Sequence, residues 1–315
     1  MKRALITGIT GQDGSYLTEH LLSLGYDVFG LVRRNPEGVS WMQPLANKVT
    51  FIYGDMRDPL SLAAAFQKAD PDEVYNLAAQ VFIPTSWVVP EETFNVNVGG
   101  LARLLYIIER TKPNTRIYQA SSSEMYGNIG GILTEESAFA PKSPYGVSKL
   151  AAHELCRVYR EKGMYVVSGI LFNHESPRRG PEMVTRKITR AVAGWIKGDR
   201  TKLKLGNLDS RRDWGFAGDY VKAMHLMLQQ PKAQDFVIGT GESHSVREFV
   251  AEALNSIKFV GSVEDFVEVD PQFVRKNEIH NLVGNPRKAQ QELGWSTVID
   301  FPELVKMMIE ADLGA

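Results

Sequence analysis

Three glycines at a spacing of three, in Gly8-Ile9-Thr10-Gly11-Gln12-Asp13-Gly14, follow directly on a short apolar run, Ala4 to Thr7, and lead into Ser15-Tyr16-Leu17, which opens an amphipathic segment. Such a turn between a strand and a helix has few uses. Glycines let the backbone bend sharply and come close to a pyrophosphate, whose charge the free amides and dipole of the helix N-terminus then stabilise. The chain is therefore expected to fold around a dinucleotide-binding βαβ unit, with Gly8, Thr10, Gly11, Gln12, Asp13 and Gly14 forming the phosphate turn.

The alternation continues through the first half of the chain. Runs rich in β-branched and aromatic residues at Val28 to Val32, Val49 to Tyr53, Glu73 to Leu77, Arg116 to Ala120 and Val166 to Leu171 are separated by helix-like segments beginning near Gly14, Pro59, Pro90 and Tyr145. Repeated strand-helix-strand units wind a parallel sheet, so the expected fold is α/β, a doubly wound Rossmann sheet. At 315 residues the chain is long for one undivided core, which calls for a second, smaller unit. After Phe172 the pattern breaks at a basic, proline-containing stretch, Asn173 to Gly180, and Val184 to Lys197, Val246 to Ile257 and Pro302 to Ala311 then read as helices among short strands. Residues 1–172 plus 213–240 are accordingly assigned to the dinucleotide-binding domain, and 173–212 plus 241–315 to a smaller C-terminal α/β substrate-binding domain.

Lys and Arg number 36 against 37 Asp and Glu, so no global field draws the chain onto nucleic acid or an anionic membrane. The apolar start breaks at Gly8, too early for a signal-peptide core, and no apolar run is long enough to span a membrane. Cys156 is the single cysteine, which excludes an internal disulfide and suits a reducing, cytoplasmic compartment; its helical setting makes an inert structural thiol the expectation.

The Gly-x-x-Gly-x-x-Gly spacing resembles that of the extended short-chain dehydrogenases. The second strand ends in Leu31-Val32-Arg33-Arg34, where an NAD site places an acid to hold the ribose hydroxyls; two arginines there favour the 2'-phosphate of NADP. Asp55 and Met56 follow the third strand, and Leu77, Ala78 and Ala79 the fourth, all on the carboxyl edge where such sheets bind ligands. By the same resemblance they contact adenine and the nicotinamide ribose.

Tyr145 and Lys149 stand four apart in Ser143-Pro144-Tyr145-Gly146-Val147-Ser148-Lys149, so on a helix they share a face. An ammonium there is expected to lower the phenol pKa and make Tyr145 a base toward a substrate hydroxyl. That spacing is common by itself. It gains meaning from Ser121-Ser122-Ser123-Glu124, which directly follows the fifth strand at the same sheet edge. Ser122 can orient a hydroxyl or carbonyl, as any alcohol oxidation requires. Glu124 is a carboxylate that oxidation does not need, whereas elimination beside a ketone does.

Longer stretches, Gly8 to Leu17, Tyr118 to Gly127, Gly169 to Gly180, Val184 to Lys187, Gly206 to Gly215 and Asp235 to Phe249, resemble the GDP-mannose 4,6-dehydratase family. The resemblance implies that Tyr145 deprotonates the mannose C4 hydroxyl as hydride leaves for NADP+, with Lys149 holding the phenolate and ribose and Ser122 orienting the C4 oxygen. It implies also that Glu124 takes the C5 proton and helps expel the C6 hydroxyl as hydride returns to C6, so that tightly bound NADP is recycled. Asn173, Val184, Lys187, Gly206, Arg212, Arg275 and Glu278 are by the same resemblance candidates for holding GDP, and Ser86 for touching the sugar. A homodimer or homotetramer is the implied assembly. Ser122 stands where the family usually has threonine, and Arg275-Lys276-Asn277-Glu278-Ile279-His280 replaces a family Arg-Pro-x-Glu-Val-Asp, which leaves a GDP-heptose or another GDP-sugar open as substrate.

Two further readings stay open. A reductase of GDP-4-keto-6-deoxy-sugars shares the Tyr-Lys pair but consumes NADPH stoichiometrically. A non-catalytic NADP-binding protein has no physical need of Ser122, Glu124, Tyr145 and Lys149 together. No metal site is expected, because Arg157 occupies the second histidine position of the His-Glu-x-x-His pattern begun at His153.

Overall fold

A computed structural model describes residues 1–35, 39–274 and 277–314. Six strands, β1 (Arg3–Thr7), β2 (Asp27–Val32), β3 (Thr50–Tyr53), β4 (Glu73–Asn76), β5 (Arg116–Ser122) and β6 (Val166–Leu171), join a seventh, Asp235–Ile238, in one parallel sheet. Their order across the sheet is Asp235–Ile238, β6, β5, β4, β1, β2, β3. The winding reverses between β1 and β4, and the crevice at the carboxyl end of that point is where sheets of this kind bind ligands.

Successive side chains of a strand point to opposite faces, and here each face has its own core. Ala4 and Ile6, with Tyr75 and Tyr118, pack beneath helices Gln12–Ser23 and Ala217–Gln229. Leu5, Val74, Ile117 and Val166 face helices Pro59–Ala69, Gly100–Thr111 and Pro144–Glu161. Burial on both sides explains why the strands read as nearly continuous apolar runs. Cys156 sits in the second core, where burial pushes its thiol up to about 12 and keeps it protonated.

A third core, including Ile188, Val192, Trp214, Phe249, Leu304 and Met308, gathers helices Val184–Ile196, Val246–Ser256 and Phe301–Leu313 into a smaller lobe with short two- and three-stranded sheets. Asn173–Glu175 leaves the end of β6 and pairs in parallel with Trp214–Phe216, joining lobe to sheet. Ala289, Leu293 and Trp295, late in the chain, return to the core of the parallel sheet.

Among the elements absent from the sequence-based expectation are a long helix and the outer strand of the main sheet. Helix Ala217–Gln229 is buried around most of its circumference, so it lacks the single apolar stripe that betrays a helix. Strand Asp235–Ile238 has only four residues. In addition β5 runs on to Ser122, which makes that residue the last of the strand.

Helix starts bear directly on the crevice. Ser143 accepts the Gly146 amide at 3.0 Å and Pro144 takes the first helical position, which fixes the opening turn of the helix carrying Tyr145. Helix Gln12–Ser23 begins at Gly11 with no side-chain cap, so its first amides stay available to a ligand. Among the described residues no helix is long and apolar enough to cross a membrane.

Candidate active site

The phosphate turn is shaped by close approach. Gly8 has φ 72°, and a Cβ on it would lie 2.9 Å from the Ala78 amide nitrogen; a Cβ on Gly14 would lie 2.4 Å from the Gly8 carbonyl oxygen. Thr7 holds the two facing loops together: its Oγ1 donates to Asn76 Oδ1 at 2.7 Å and accepts the Leu77 and Ala78 amides, each at 3.1 Å. Leu77, Ala78 and Ala79 therefore flank the glycine turn across the switch point. The Thr10 carbonyl accepts Trp41 Nε1 at 3.1 Å. The Gln12 and Asp13 side chains turn toward the smaller lobe: Gln12 Nε2 donates to the His174 carbonyl at 3.0 Å, and Asp13 Oδ2 is 2.8 Å from His174 Nε2. Gln12 can thus serve the cofactor only through its backbone while its amide makes that bond. The glycines, the uncapped amides and the close Ala78 backbone together fit a bound dinucleotide pyrophosphate.

Arg33 and Arg34 are exposed just beyond β2, with no acid at the strand end. The Asp55 carboxylate is spanned by Arg57, with Nη2 at 2.7 Å and Nε at 3.0 Å, and is held below the usual carboxylate range by that hydrogen bonding. Met56 is buried against Gly100. Asn97, in the π-helical turn Asn95–Gly99, accepts the Gln80 amide at 2.9 Å and donates to Gln80 O at 3.1 Å and Ser148 Oγ at 2.9 Å. It clasps the loop after β4 to the helix of Tyr145.

Ser122, Glu124, Tyr145 and Lys149 line one cavity of about 910 Å³ between the sheet's carboxyl edge and the smaller lobe. Lys149 Nζ lies 5.7 Å from the Tyr145 ring centre and donates to Ala120 O at 2.9 Å. Ser122 lines the cavity beside Tyr145, and its Oγ caps the turn Ser123–Met125 by accepting the Glu124 amide at 3.2 Å. Gly146 permits this turn to close on the helix, since a Cβ there would lie 2.9 Å from the Glu124 carbonyl oxygen.

The titration of Tyr145 differs from the sequence-based expectation. Burial pushes its phenol up to about 12, with the Ser122 hydrogen bond opposing and the Glu124 charge adding to the rise. Burial also drives Lys149 down to about 8, against the pull of Asp13. Desolvation of both groups outweighs the attraction expected from their spacing. The protein alone keeps Tyr145 protonated at neutral pH.

Asn173, Val184, Lys187, Gly206, Arg212 and Glu278 line the same cavity. Arg212 Nη2 is 3.2 Å from Glu278 Oε1, and its Nη1 donates to Ile279 O at 2.7 Å. Lys187 Nζ sits 5.0 Å from the Phe273 ring centre. Val184 opens a helix whose preceding residue, Met183, makes no side-chain cap. Ser86 is not brought to the cavity: it is fully buried and its hydroxyl donates to Ile83 O at 2.7 Å within its own helix. Arg275 lies outside the described residues. The cavity also presents His174, Arg179 and Asn207, which sequence reasoning passed over as site residues although a basic cluster directly after β6 was a signal for the first two.

A glycine turn at the switch point and a buried Tyr-Lys pair opposite it define the chain as an enzyme of the extended short-chain dehydrogenase class. Its strand-end Ser-Glu turn narrows the choice, and the comparisons agree: the chain belongs to the GDP-mannose 4,6-dehydratase family, whose model matches residues 5–308. It is 47% identical over 327 residues to GDP-mannose 4,6 dehydratase 1 of Arabidopsis thaliana, covering 99% of this chain and 90% of that protein. It is 42% identical over 349 residues to GDP-mannose 4,6-dehydratase of Vibrio cholerae, covering 99% and 94%. Among solved structures it resembles UDP-glucose 4-epimerase of Thermus thermophilus in complex with NAD, at 28% identity and a TM-score of 0.86 over 99% of both chains.

Proposed function

We propose that this chain is a hydro-lyase that converts GDP-mannose to GDP-4-keto-6-deoxy-mannose with a recycled nicotinamide cofactor. The observation that carries the reading is the convergence of Ser122, Glu124, Tyr145 and Lys149 on one cavity whose far wall holds Asn173, Lys187, Arg212 and Glu278. A site for alcohol oxidation alone has no use for a carboxylate whose backbone is capped onto the serine, as the Glu124 amide is at 3.2 Å.

The glycine turn Gly8 to Gly14 and the Ala78 backbone would hold an oxidised nicotinamide cofactor, which would supply positive charge and a reversible hydride store for C4 and C6. Tyr145 takes the C4 hydroxyl proton, oriented by Ser122 and aided by the Lys149 ammonium. The resulting ketone acidifies C5-H. Glu124 removes that proton and delivers it to the C6 hydroxyl, which leaves as water, and C5 regains a proton from solvent as hydride adds at C6. The diphosphate is assigned to Arg212 and Lys187, and Asn173, Val184, Gly206 and Glu278 complete the GDP site, joined by Arg275.

Exposed Arg33 and Arg34, with no acid at the end of β2, support NADP over NAD. In this reading residues 1–172 plus 213–240 bind the cofactor and 173–212 plus 241–315 the GDP-sugar, apart from the late residues that rejoin the first core. Helices Gly100–Thr111 and Pro144–Glu161 expose Tyr106, Val147 and Val158, apolar surface that suits a homodimer or homotetramer. The reduced state of Cys156 suits the cytoplasm.

The test is incubation with GDP-mannose in deuterated water and catalytic NADP+, followed by NMR and mass spectrometry. Deuterium at C5 of a 4-keto-6-deoxy product, without net NADPH change, is the expected result. Inertness toward GDP-mannose, with NADPH oxidised only when a 4-keto-6-deoxy sugar is added, would reassign the chain as a reductase.

A further inference from the structure

We propose that Asn128 is a positioning residue that fixes the nucleotide wall of the cavity relative to Glu124, an inference that rests on the GDP-sugar reading above. Asn128 Nδ2 donates to Glu278 O at 2.7 Å, and Asn128 Oδ1 accepts the His280 amide at 2.8 Å. One side-chain amide thus pairs with a carbonyl and an amide two residues apart, as a neighbouring strand would. Glu278 and Ile279, the residues embraced by these two bonds, line the cavity.

The same segment is held from the opposite side by the strand Arg211–Arg212. Arg212 reaches Ile279 O at 2.7 Å and Glu278 Oε1 at 3.2 Å, and the Arg211 amide donates to His280 O at 2.8 Å. Ile279 also packs in the core of Met125, Tyr126 and Leu282, and among the described residues Asn128 supplies this segment's hydrogen bonds on the Glu124 side. The Asn128 flank leads straight back to the acid turn, four residues upstream at Glu124.

That connection is stiff. Gly127 has φ 61°, and a Cβ there would lie 2.0 Å from Ala140 O, so the bend leaves no room to relax. Met125 and Tyr126 are fully buried; the Ala140 amide donates to Met125 O at 2.9 Å, and Tyr126 Oη donates to Thr134 O at 2.8 Å. A rigid turn therefore carries Glu124 at one end and the Glu278 latch at the other. The latch needs both a donor and an acceptor on one short side chain, which asparagine has and aspartate lacks. An aspartate would also aim negative charge at the Glu278 carbonyl.

Calorimetry with GDP as the probe, on the full chain saturated with NADP+, compares the parent with Asn128→Ala and Asn128→Asp. GDP affinity is expected to fall about three- to tenfold in both, the worth of roughly one net hydrogen bond. KM for GDP-mannose should rise in step while kcat, NADP+ affinity and Tm stay near parent values, a split that general loosening of the fold does not produce. Unchanged GDP affinity in both variants overturns the inference, as does a loss of Tm and NADP+ affinity parallel to that of GDP. Binding is read without turnover, so a parent that binds GDP in an Asn128-dependent way but leaves GDP-mannose intact sinks the proposed activity and spares the latch.

Discussion

Asp13 and His174 form a largely buried pair that ties the glycine turn to the segment entering the smaller lobe. His174 Nε2 is 2.8 Å from Asp13 Oδ2 and its Nδ1 is 2.7 Å from Phe172 O, so both ring nitrogens face acceptors, an arrangement that favours the protonated ring. It stacks on Tyr220 with ring centres 4.7 Å apart. The pairing also offsets a carboxylate in the first turn of helix Gln12–Ser23, where an unpaired acid would repel the pyrophosphate proposed to bind there. Ser176 Oγ donates to Gln12 Oε1 at 2.8 Å, a second tie between the same two segments.

Asp13→Asn should lower stability by about 2–3 kcal/mol near pH 6, less than a fully dry pair because both partners keep some exposure. The pH dependence has a defined sign. Although burial opposes it, Asp13 raises the His174 pKa above 6.5, so that contribution is present below 6.5 and lost as pH climbs through the raised value. Asp13 is held below 3.8 by His174 against burial, so its contribution is present above 3.8 and lost as pH falls through the lowered value. Urea unfolding should show the parent-to-variant gap widest from about pH 4 to 6.5. An equal gap at about pH 5 and 9 would refute the pair.

Glu124→Gln should cut dehydration by about 10²- to 10⁴-fold and stop deuterium entry at C5, while NADP+ binding is unchanged. Retention of full activity by this variant would remove Glu124 from the mechanism.

Lys149→Met should inactivate the enzyme yet stabilise the cofactor-free protein by about 1–3 kcal/mol at pH 7. The folded protein depresses the Lys149 pKa from 10.5 to about 8, so the unfolded chain binds this proton more readily. The parent therefore gains stability as pH rises from about 8 to 10.5 and the advantage of methionine fades over the same range. Chemical denaturation of both proteins at several pH values reads this; a variant that is less stable at pH 7 contradicts it.

Replacing Arg33 and Arg34 together by alanine should weaken NADP+ binding about ten- to a hundredfold and leave NAD+ binding nearly unchanged. Titration of cofactor fluorescence measures both. Equal losses for the two cofactors would place the arginines away from the 2'-phosphate.

The sheet was legible because its signals are local. Gly8 to Gly14 has to follow a strand and open a helix, and the apolar runs buried on both faces declare themselves without knowledge of their partners. Tyr145 and Lys149 were legible because one helix sets their relation. What escaped depends on contacts far apart in sequence. His174 acquires its role only from Asp13, and Asn128 only from Glu278 and His280. The burial that lifts the Tyr145 phenol comes from several elements closing over it, so the four-residue spacing suggested the opposite sign. Ser86 looked like a sugar contact in a motif, but helix Ile83–Val88 turns its hydroxyl onto its own backbone.

The place of Asp235–Ile238 beside β6 has a consequence for synthesis. As the chain emerges from the ribosome, β6 is made long before the strand that covers its outer edge, and helices Val184–Ile196 and Ala217–Gln229 with several short strands must be translated in between. For that interval an apolar strand edge stays open to pairing with other nascent chains, a recognised route to aggregation. Truncation before residue 238 would make the exposure permanent, so the cofactor-binding half is not a unit that can be released by trimming the gene.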